Sequence, residues 1–123
     1  MRGLIIDDSR VMRQVARQIL EKLTYTVEEA SDCDGAMACC LRAMPDVVLV
    51  DLNMPGANAT AFVRTLRRQG DAGKPRIIVL STENDAALLT DAVQAGADDY
   101  LLKPFDTETI TAALKGSVLA SGN

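Results

Sequence analysis

Three apolar runs, Leu4-Ile5-Ile6, Val47-Val48-Leu49-Val50 and Ile77-Ile78-Val79-Leu80, contain no polar residue. Runs of that kind suit strands covered by helices on both faces of a parallel sheet. Two weaker runs, Thr26-Val27-Glu28-Glu29-Ala30 and Tyr100-Leu101-Leu102, suit strands nearer the sheet edges. Between the runs, apolar residues recur at helical spacing. Met12, Val15, Ala16, Ile19, Leu20 and Leu23 follow Ser9, a candidate N-cap. Met37, Cys40, Leu41 and Met44 lead up to Pro45, and Phe62, Val63 and Leu66 lead up to Gly70. A fourth stripe of Leu88, Leu89, Ala92 and Val93 ends at Gly96, and a fifth of Ile110, Ala113, Leu114 and Val118 follows Asp106 or Thr107. The order is strand then helix, five times. That alternation predicts an α/β fold, a doubly wound (βα)5 five-stranded parallel sheet with right-handed crossovers and helices on both faces.

Composition narrows the function. At 123 residues the chain suits one domain, and 48% hydrophobic residues are enough for a real core. Thirteen Lys and Arg against 17 Asp and Glu give a net charge of -4, which argues against binding DNA, since such affinity comes mostly from basic groups on phosphates. The absence of His removes the commonest metal ligand and general base. No apolar stretch approaches the roughly 18 residues of a membrane span, and the start is too short an apolar run for a signal peptide, so a cytoplasmic protein is expected. Three cysteines, two of them adjacent, do not suggest a disulfide framework. Helical spacing puts Cys40 on the apolar face and points Cys39 away; small reduced hydrophobes are the plain interpretation and redox sensing the alternative.

Open parallel sheets bind ligands outside the carboxyl ends of their strands. The residues there are Asp7 and Asp8, Asp51 in Asp51-Leu52-Asn53-Met54-Pro55-Gly56, Ser81-Thr82-Glu83, and Lys103-Pro104-Phe105. Three carboxylates, a hydroxyl and an ammonium are thus expected on one edge. Two carboxylates about 5 Å apart repel by roughly 3 kcal/mol at an effective dielectric near 20, so the cluster is costly as structure alone. A hard divalent cation relieves it. Mg²⁺, content with one or two carboxylates and several waters, fits better than Ca²⁺ or Zn²⁺. Singly, each position has a plainer interpretation: a helix cap for Asp7 and Asp8, a surface lysine for Lys103, a strand end for Ser81.

Jointly they are specific. Asp51 lies 43 residues after Asp8, Ser81 30 after Asp51, and Lys103 22 after Ser81. With these intervals the sequence resembles the receiver domain of bacterial two-component response regulators, in layout most like the single-domain CheY-like chemotaxis type, over essentially all 123 residues. The resemblance implies one receiver domain spanning residues 1–123 without an output domain, and the flavodoxin-like strand order 2-1-3-4-5. It implies Asp51 as phosphoacceptor, and Mg²⁺ held by Asp7, Asp8, Asp51 and the backbone carbonyl of Asn53. Ser81 and Lys103 would contact the phosphoryl group, Ser81 and Tyr100 would form the switch, and Asn53 and Glu83 would tune dephosphorylation. The Lys103-Pro104 bond would be cis. A histidine kinase or histidine phosphotransfer protein would be the donor, and a downstream protein, the flagellar motor switch being one example, the target. The implied activity is a phosphorylation-activated switch that works through the face of the fourth helix, fifth strand and fifth helix. It is no enzyme beyond phosphoryl transfer to, and hydrolysis from, its own Asp51, and it needs neither DNA nor membrane. A monomer is expected.

Two positions depart from the family pattern: Ala59, where Gly is common, and Thr82, where a small residue usually leaves room for the phosphoryl group. Arg10, Arg13 and Arg17 are interpreted as a solvated face of the first helix, with docking to acidic parts of a histidine kinase as the alternative. Arg64, Arg67 and Arg68 are expected to be solvated, and Tyr25 to pack at a loop. A phosphorelay intermediate or phosphate sink is the alternative function. A haloacid-dehalogenase-like phosphatase needs an acid two positions after its nucleophile, where Asn53 stands. A flavodoxin-like flavin carrier needs a phosphate loop where Asp7 and Asp8 would repel the phosphate.

Overall fold

The computed structural model describes residues 1–70, 74–82 and 85–115. Five strands alternate with five helices: β1 (Arg2–Ile6), α1 (Arg10–Lys22), β2 (Thr26–Ala30), α2 (Cys33–Arg42), β3 (Val47–Asp51), α3 (Ala59–Gln69), β4 (Arg76–Ser81), α4 (Ala86–Ala95), β5 (Asp99–Leu102) and α5 (Thr107–Leu114). All strand pairs are parallel, in the order β2-β1-β3-β4-β5, so the two weaker runs occupy the edges as expected.

Alternation along each strand divides the core in two. Ile5, Val47, Leu49, Ile78, Leu80 and Leu101 face Ala16, Ile19 and Leu20 of α1 and Ile110 and Ala113 of α5. Leu4, Ile6, Val48, Val50, Ile77 and Val79 face α2, α3 and α4. Each fully buried aliphatic side chain contributes about 1.5–3 kcal/mol of burial, which makes these central strands the stable part of the domain. Carried past the strand ends, the same period puts Asp7, Asp51 and Lys103 on the α1 and α5 side. Ser81 falls on the side of α4.

The helical stripes need correction at their margins. Leu41 is 68% exposed, Val93 40% and Val15 37%, while Ala36 of α2 is buried. Each misplaced residue neighbours a true core residue, Cys40, Ala92 or Ala16, and one step along a helix turns the side chain by about 100°. Cys39 does not point away but packs, half-buried, against the core with Cys33, Met37 and Met44. Burial pushes the Cys40 thiol up to about 11, so the buried thiol behaves as a small hydrophobe. Val118 lies outside the described residues.

Side chains cap the helices. Ser9, Asp32, Asn58, Asp85 and Asp106 each accept a backbone N–H in the first turn of the helix that follows, and Asp106 and Thr109 form a reciprocal capping box. At the end of α1, the Tyr25 N–H donates to Leu20 O and the Thr24 N–H to Glu21 O, both at 3.0 Å. This is a Schellman closure, which requires a left-handed residue, and Thr24 adopts φ 70° there although glycine suits the position better. Tyr25 then packs, half-buried, on the α1 and α5 side of the core.

Arg67 is not a solvated residue. Its guanidinium donates to Gly96 O at 2.9 and 3.0 Å, to Pro75 O at 3.0 Å and to Asp98 Oδ2 at 2.6 Å. Asp98 also accepts the Ile77 N–H at 2.8 Å. The group ties α3, β4 and the α4–β5 turn together at the end of the sheet away from the carboxylates. Gly96 is required there: φ is 125°, and a Cβ would lie 2.9 Å from Arg67 Cβ and Cγ.

Candidate functional site

The carboxyl ends of β1, β3 and β5 meet at a cavity of about 410 Å³, lined by Asp7, Asp8, Ser9, Met12, Asp51, Asn53, Thr82, Lys103 and Pro104. Asp7 and Asp51 are 1% and 2% exposed, whereas Asp8 is exposed. One carboxylate oxygen from each of the three lies within 4.8 Å of the others. Lys103 Nζ stands 2.7 Å from Asp7 Oδ2 and 3.4 Å from Asp51 Oδ1. One ammonium therefore serves two buried carboxylates, and the three acids keep a net excess of negative charge.

Backbone groups hold the acids in place. Asp7 Oδ1 accepts the Ser9 N–H at 2.9 Å, and Asp51 Oδ1 accepts the Asn53 N–H at 3.0 Å. Burial raises the Asp51 carboxyl above the usual carboxylate range; the Asn53 N–H opposes this, the Asp7 charge adds to it, and Lys103 pulls it back. Removing charged oxygen from water is thus the dominant cost at Asp51. The donor set is all hard oxygen at close range, which fits Mg²⁺.

The other expected residues divide. Asn53 lines the cavity, and its Oδ1 accepts from the Thr82 N–H at 2.8 Å and Thr82 Oγ1 at 3.2 Å. Thr82, at a position where the family usually has a small residue, is thus a wall of the cavity and the partner of Asn53. Ser81 is fully buried and does not line the cavity. Tyr100 is half-buried against the α4 side of the core and lines a separate groove of about 490 Å³ with Ala86, Leu89, Thr90, Val93 and Gln94. The Lys103-Pro104 peptide is cis. Glu83 lies outside the described residues.

The arginine face of α1 also needs correction. Arg13 donates from Nη1 to Asp7 O at 2.7 Å and from Nε to Glu29 Oε1 at 3.1 Å, and Arg17 reaches Glu29 Oε2 at 2.6 Å. Arg13 and Arg17 turn toward the edge strand β2, and Arg10 remains exposed. Periodicity gave the face of the helix but not the reach of the side chains; Glu29, inside the β2 run, was the available signal.

The family model of the response regulator receiver domain matches residues 4–115. The chain belongs to that family. The receiver is 36% identical to response regulator MprA of Mycobacterium leprae over 115 residues, 94% of this chain and 50% of that protein. It is 33% identical to the chemotaxis response regulator CheY4 of Vibrio cholerae, whose structure superposes with a TM-score of 0.84 over 93% of this chain and 95% of that one. A response regulator from Burkholderia pseudomallei with a phosphorylated aspartic acid, calcium ion and citrate is 30% identical, with a TM-score of 0.87 over 98% of this receiver and 71% of that chain. The receiver spans about half the length of the curated relatives it matches. Receivers of this family are phosphorylation-activated signalling switches in two-component systems, not classical enzymes, and act between histidine kinases and downstream targets. Among the described residues, no helix is long and apolar enough to cross a membrane.

Proposed function

We propose that this receiver takes a phosphoryl group from a histidine kinase or histidine phosphotransfer protein onto Asp51 and reports it through the α4-β5-α5 face. The observation that carries the reading is the cluster in which Asp7, Asp8 and Asp51 come within 4.8 Å and Lys103 bridges Asp7 and Asp51. In the transfer, an Asp51 oxygen attacks phosphorus in line, the new O–P bond forms as the N–P bond of the phosphohistidine breaks, and the imidazole leaves. Phosphoryl transfer needs positioning and charge neutralisation more than proton chemistry, so a site without His suffices. Asp7, Asp8, Asp51 and the Asn53 carbonyl would hold Mg²⁺, which when bound supplies positive charge to the transferred oxygens. The Burkholderia relative carries a phosphorylated aspartic acid and a calcium ion, which supports aspartyl phosphate chemistry in a receiver of this kind.

Lys103 then follows the new charge from Asp7 to the phosphoryl oxygens, a charge-assisted contact. Ser81 moves toward the same group, and Tyr100 fills the space beside α4. Asn53 and Glu83 orient water for hydrolysis, which makes the signal short-lived. Several relatives of about twice this length carry names of transcriptional regulators, so whether the target acts at DNA, at a motor or in a relay is a property of the pathway. Acetyl phosphate with Mg²⁺, followed by intact mass, tests the reading. Wild type gains one phosphoryl group, and Asp51→Asn or chelation abolishes the gain. Labelling that persists in Asp51→Asn rejects Asp51 as the acceptor.

A further inference from the structure

Asp7 is held at every polar atom. Its N–H donates to Ala30 O at 3.2 Å, Oδ1 accepts from the Ser9 N–H at 2.9 Å, Oδ2 accepts from Lys103 at 2.7 Å, and its carbonyl accepts from Arg13 Nη1 at 2.7 Å. The last contact comes from outside the cavity. Arg13 is itself fixed: its Nε bonds Glu29 Oε1 at 3.1 Å, and Arg17 at 2.6 Å anchors the other oxygen of Glu29. The Arg13 side chain is only 17% exposed and that of Glu29 24%. The Asp7 carbonyl belongs to the peptide plane that leads into Asp8. A peptide is planar, so fixing its oxygen fixes the direction in which the Asp8 backbone leaves.

We infer that Arg13 is a positioning residue for the cation site: by clamping the Asp7 carbonyl against Glu29 of β2, it sets the Asp7-Asp8 peptide so that both carboxylates face Asp51. The inference rests on the proposed binding of Mg²⁺ by Asp7 and Asp8. Arg13 touches neither the phosphoryl group nor the acceptor. If Lys103 leaves Asp7, the bonds from Arg13, from the Ser9 N–H and to Ala30 hold the β1–α1 turn, and that from Arg13 reaches it from another element, α1 backed by β2.

Charge and position predict opposite signs, which makes the inference testable. Removing a guanidinium near three carboxylates should tighten Mg²⁺ binding if Arg13 acts only as charge. Removing a clamp should weaken it, and loss of a group that orients metal ligands typically weakens affinity by at least about tenfold. The experiment is calorimetric titration with Mg²⁺, without phosphodonor, of wild type, Arg13→Gln, Arg13→Lys and Arg17→Gln. Arg13→Gln should bind about tenfold more weakly, and Arg13→Lys should fall between it and wild type. Arg17→Gln, which loosens Glu29 but leaves the Arg13 contact with Asp7 in place, should weaken binding less than Arg13→Gln. Arg13→Gln binding as tightly as wild type, or more tightly, overturns the clamp. If Arg13→Gln does not fold, Arg13→Lys against Arg17→Lys makes the same comparison, and equal affinities overturn it. A wild type that does not bind Mg²⁺ removes the cation site itself, a failure distinct from that of Arg13 alone.

Discussion

Neutralising Asp51 should stabilise the metal-free protein. At an effective dielectric near 20, its carboxylate within 4.8 Å of Asp7 and Asp8 is repelled by at least about 3.5 kcal/mol from each, and Lys103 at 3.4 Å returns about 5 kcal/mol. Asp8 is exposed, so water screens its share. The Coulomb contributions therefore nearly cancel, and the desolvation of a carboxylate only 2% exposed decides the sign. Asn at position 51 keeps the shape and the oxygen that accepts the Asn53 N–H. Lys103 keeps Asp7 at 2.7 Å. We expect Asp51→Asn to gain about 1–2 kcal/mol at pH 7 in chelator, the lower part of what replacing buried ions brings, or roughly 4 °C in Tm per kcal/mol. The pH dependence follows from the raised Asp51 pKa. Between the unfolded carboxyl value near about 3.9 and the higher folded value, the folded state binds more protons, so wild-type stability falls as pH rises through that window. Below about 3.9 both states are protonated and the penalty disappears. Urea unfolding of wild type and Asp51→Asn from pH 3 to 7 should show a difference that opens with pH and then levels off. Asp7→Asn should not gain, because it strips a buried ammonium of its nearest partner. No gain for Asp51→Asn at pH 7, or a gain of the same size at pH 3, would refute the reasoning.

Elsewhere in the molecule, Thr24→Gly should stabilise by about 1 kcal/mol in urea unfolding, because a β-branched residue in the left-handed region costs roughly 1–2 kcal/mol, part of which glycine loses again to chain entropy; an unchanged midpoint contradicts that strain. Arg67→Ala should cost about 2–3 kcal/mol while leaving Mg²⁺ binding intact, since its carbonyl and carboxylate contacts lie at the opposite end of the sheet; a weakened Mg²⁺ affinity would refute that separation. Beryllofluoride with Mg²⁺ should change tyrosine emission in wild type and much less in Tyr100→Phe. No change, together with unchanged amide shifts along the described residues 85–105, would exclude the α4-β5-α5 face as the output.

The site was legible because a parallel sheet does the alignment. Every strand ends on the same edge, so residues that follow apolar runs in sequence become neighbours in space, and Asp7, Asp51 and Lys103 converge without further information. Side-chain reach was not legible. Arg13 and Arg67 stand at ordinary surface positions of their helices, but each stem is long enough to carry a guanidinium back to backbone carbonyls. Neither target carries a sequence signal, since any residue has a carbonyl. The Asn53–Thr82 contact was hidden for a similar reason: it joins two loops that follow adjacent strands, β3 and β4, and depends on loop shape rather than register. At the end of α1, the missing glycine left no marker for a left-handed residue, and only the backbone reveals Thr24 in that place.

The arrangement of Lys103 ties the proposed cation and the proposed phosphoryl group to one another. In the present geometry the ammonium is closer to Asp7 than to Asp51, 2.7 against 3.4 Å, and its side chain is only 9% exposed. A phosphoryl group on Asp51 carries close to two negative charges at neutral pH and competes for that ammonium. Leaving Asp7 would abandon a buried carboxylate, at a cost of several kcal/mol unless another positive charge takes the vacated oxygen. Movement of Lys103 toward Asp51 is therefore cheap only when Asp7 has a cation. The two events should favour each other, and by linkage an aspartyl phosphate should tighten Mg²⁺ binding by the same factor as Mg²⁺ favours the phosphorylated state. A site with a second lysine would lose that coupling, because each carboxylate would keep its own partner.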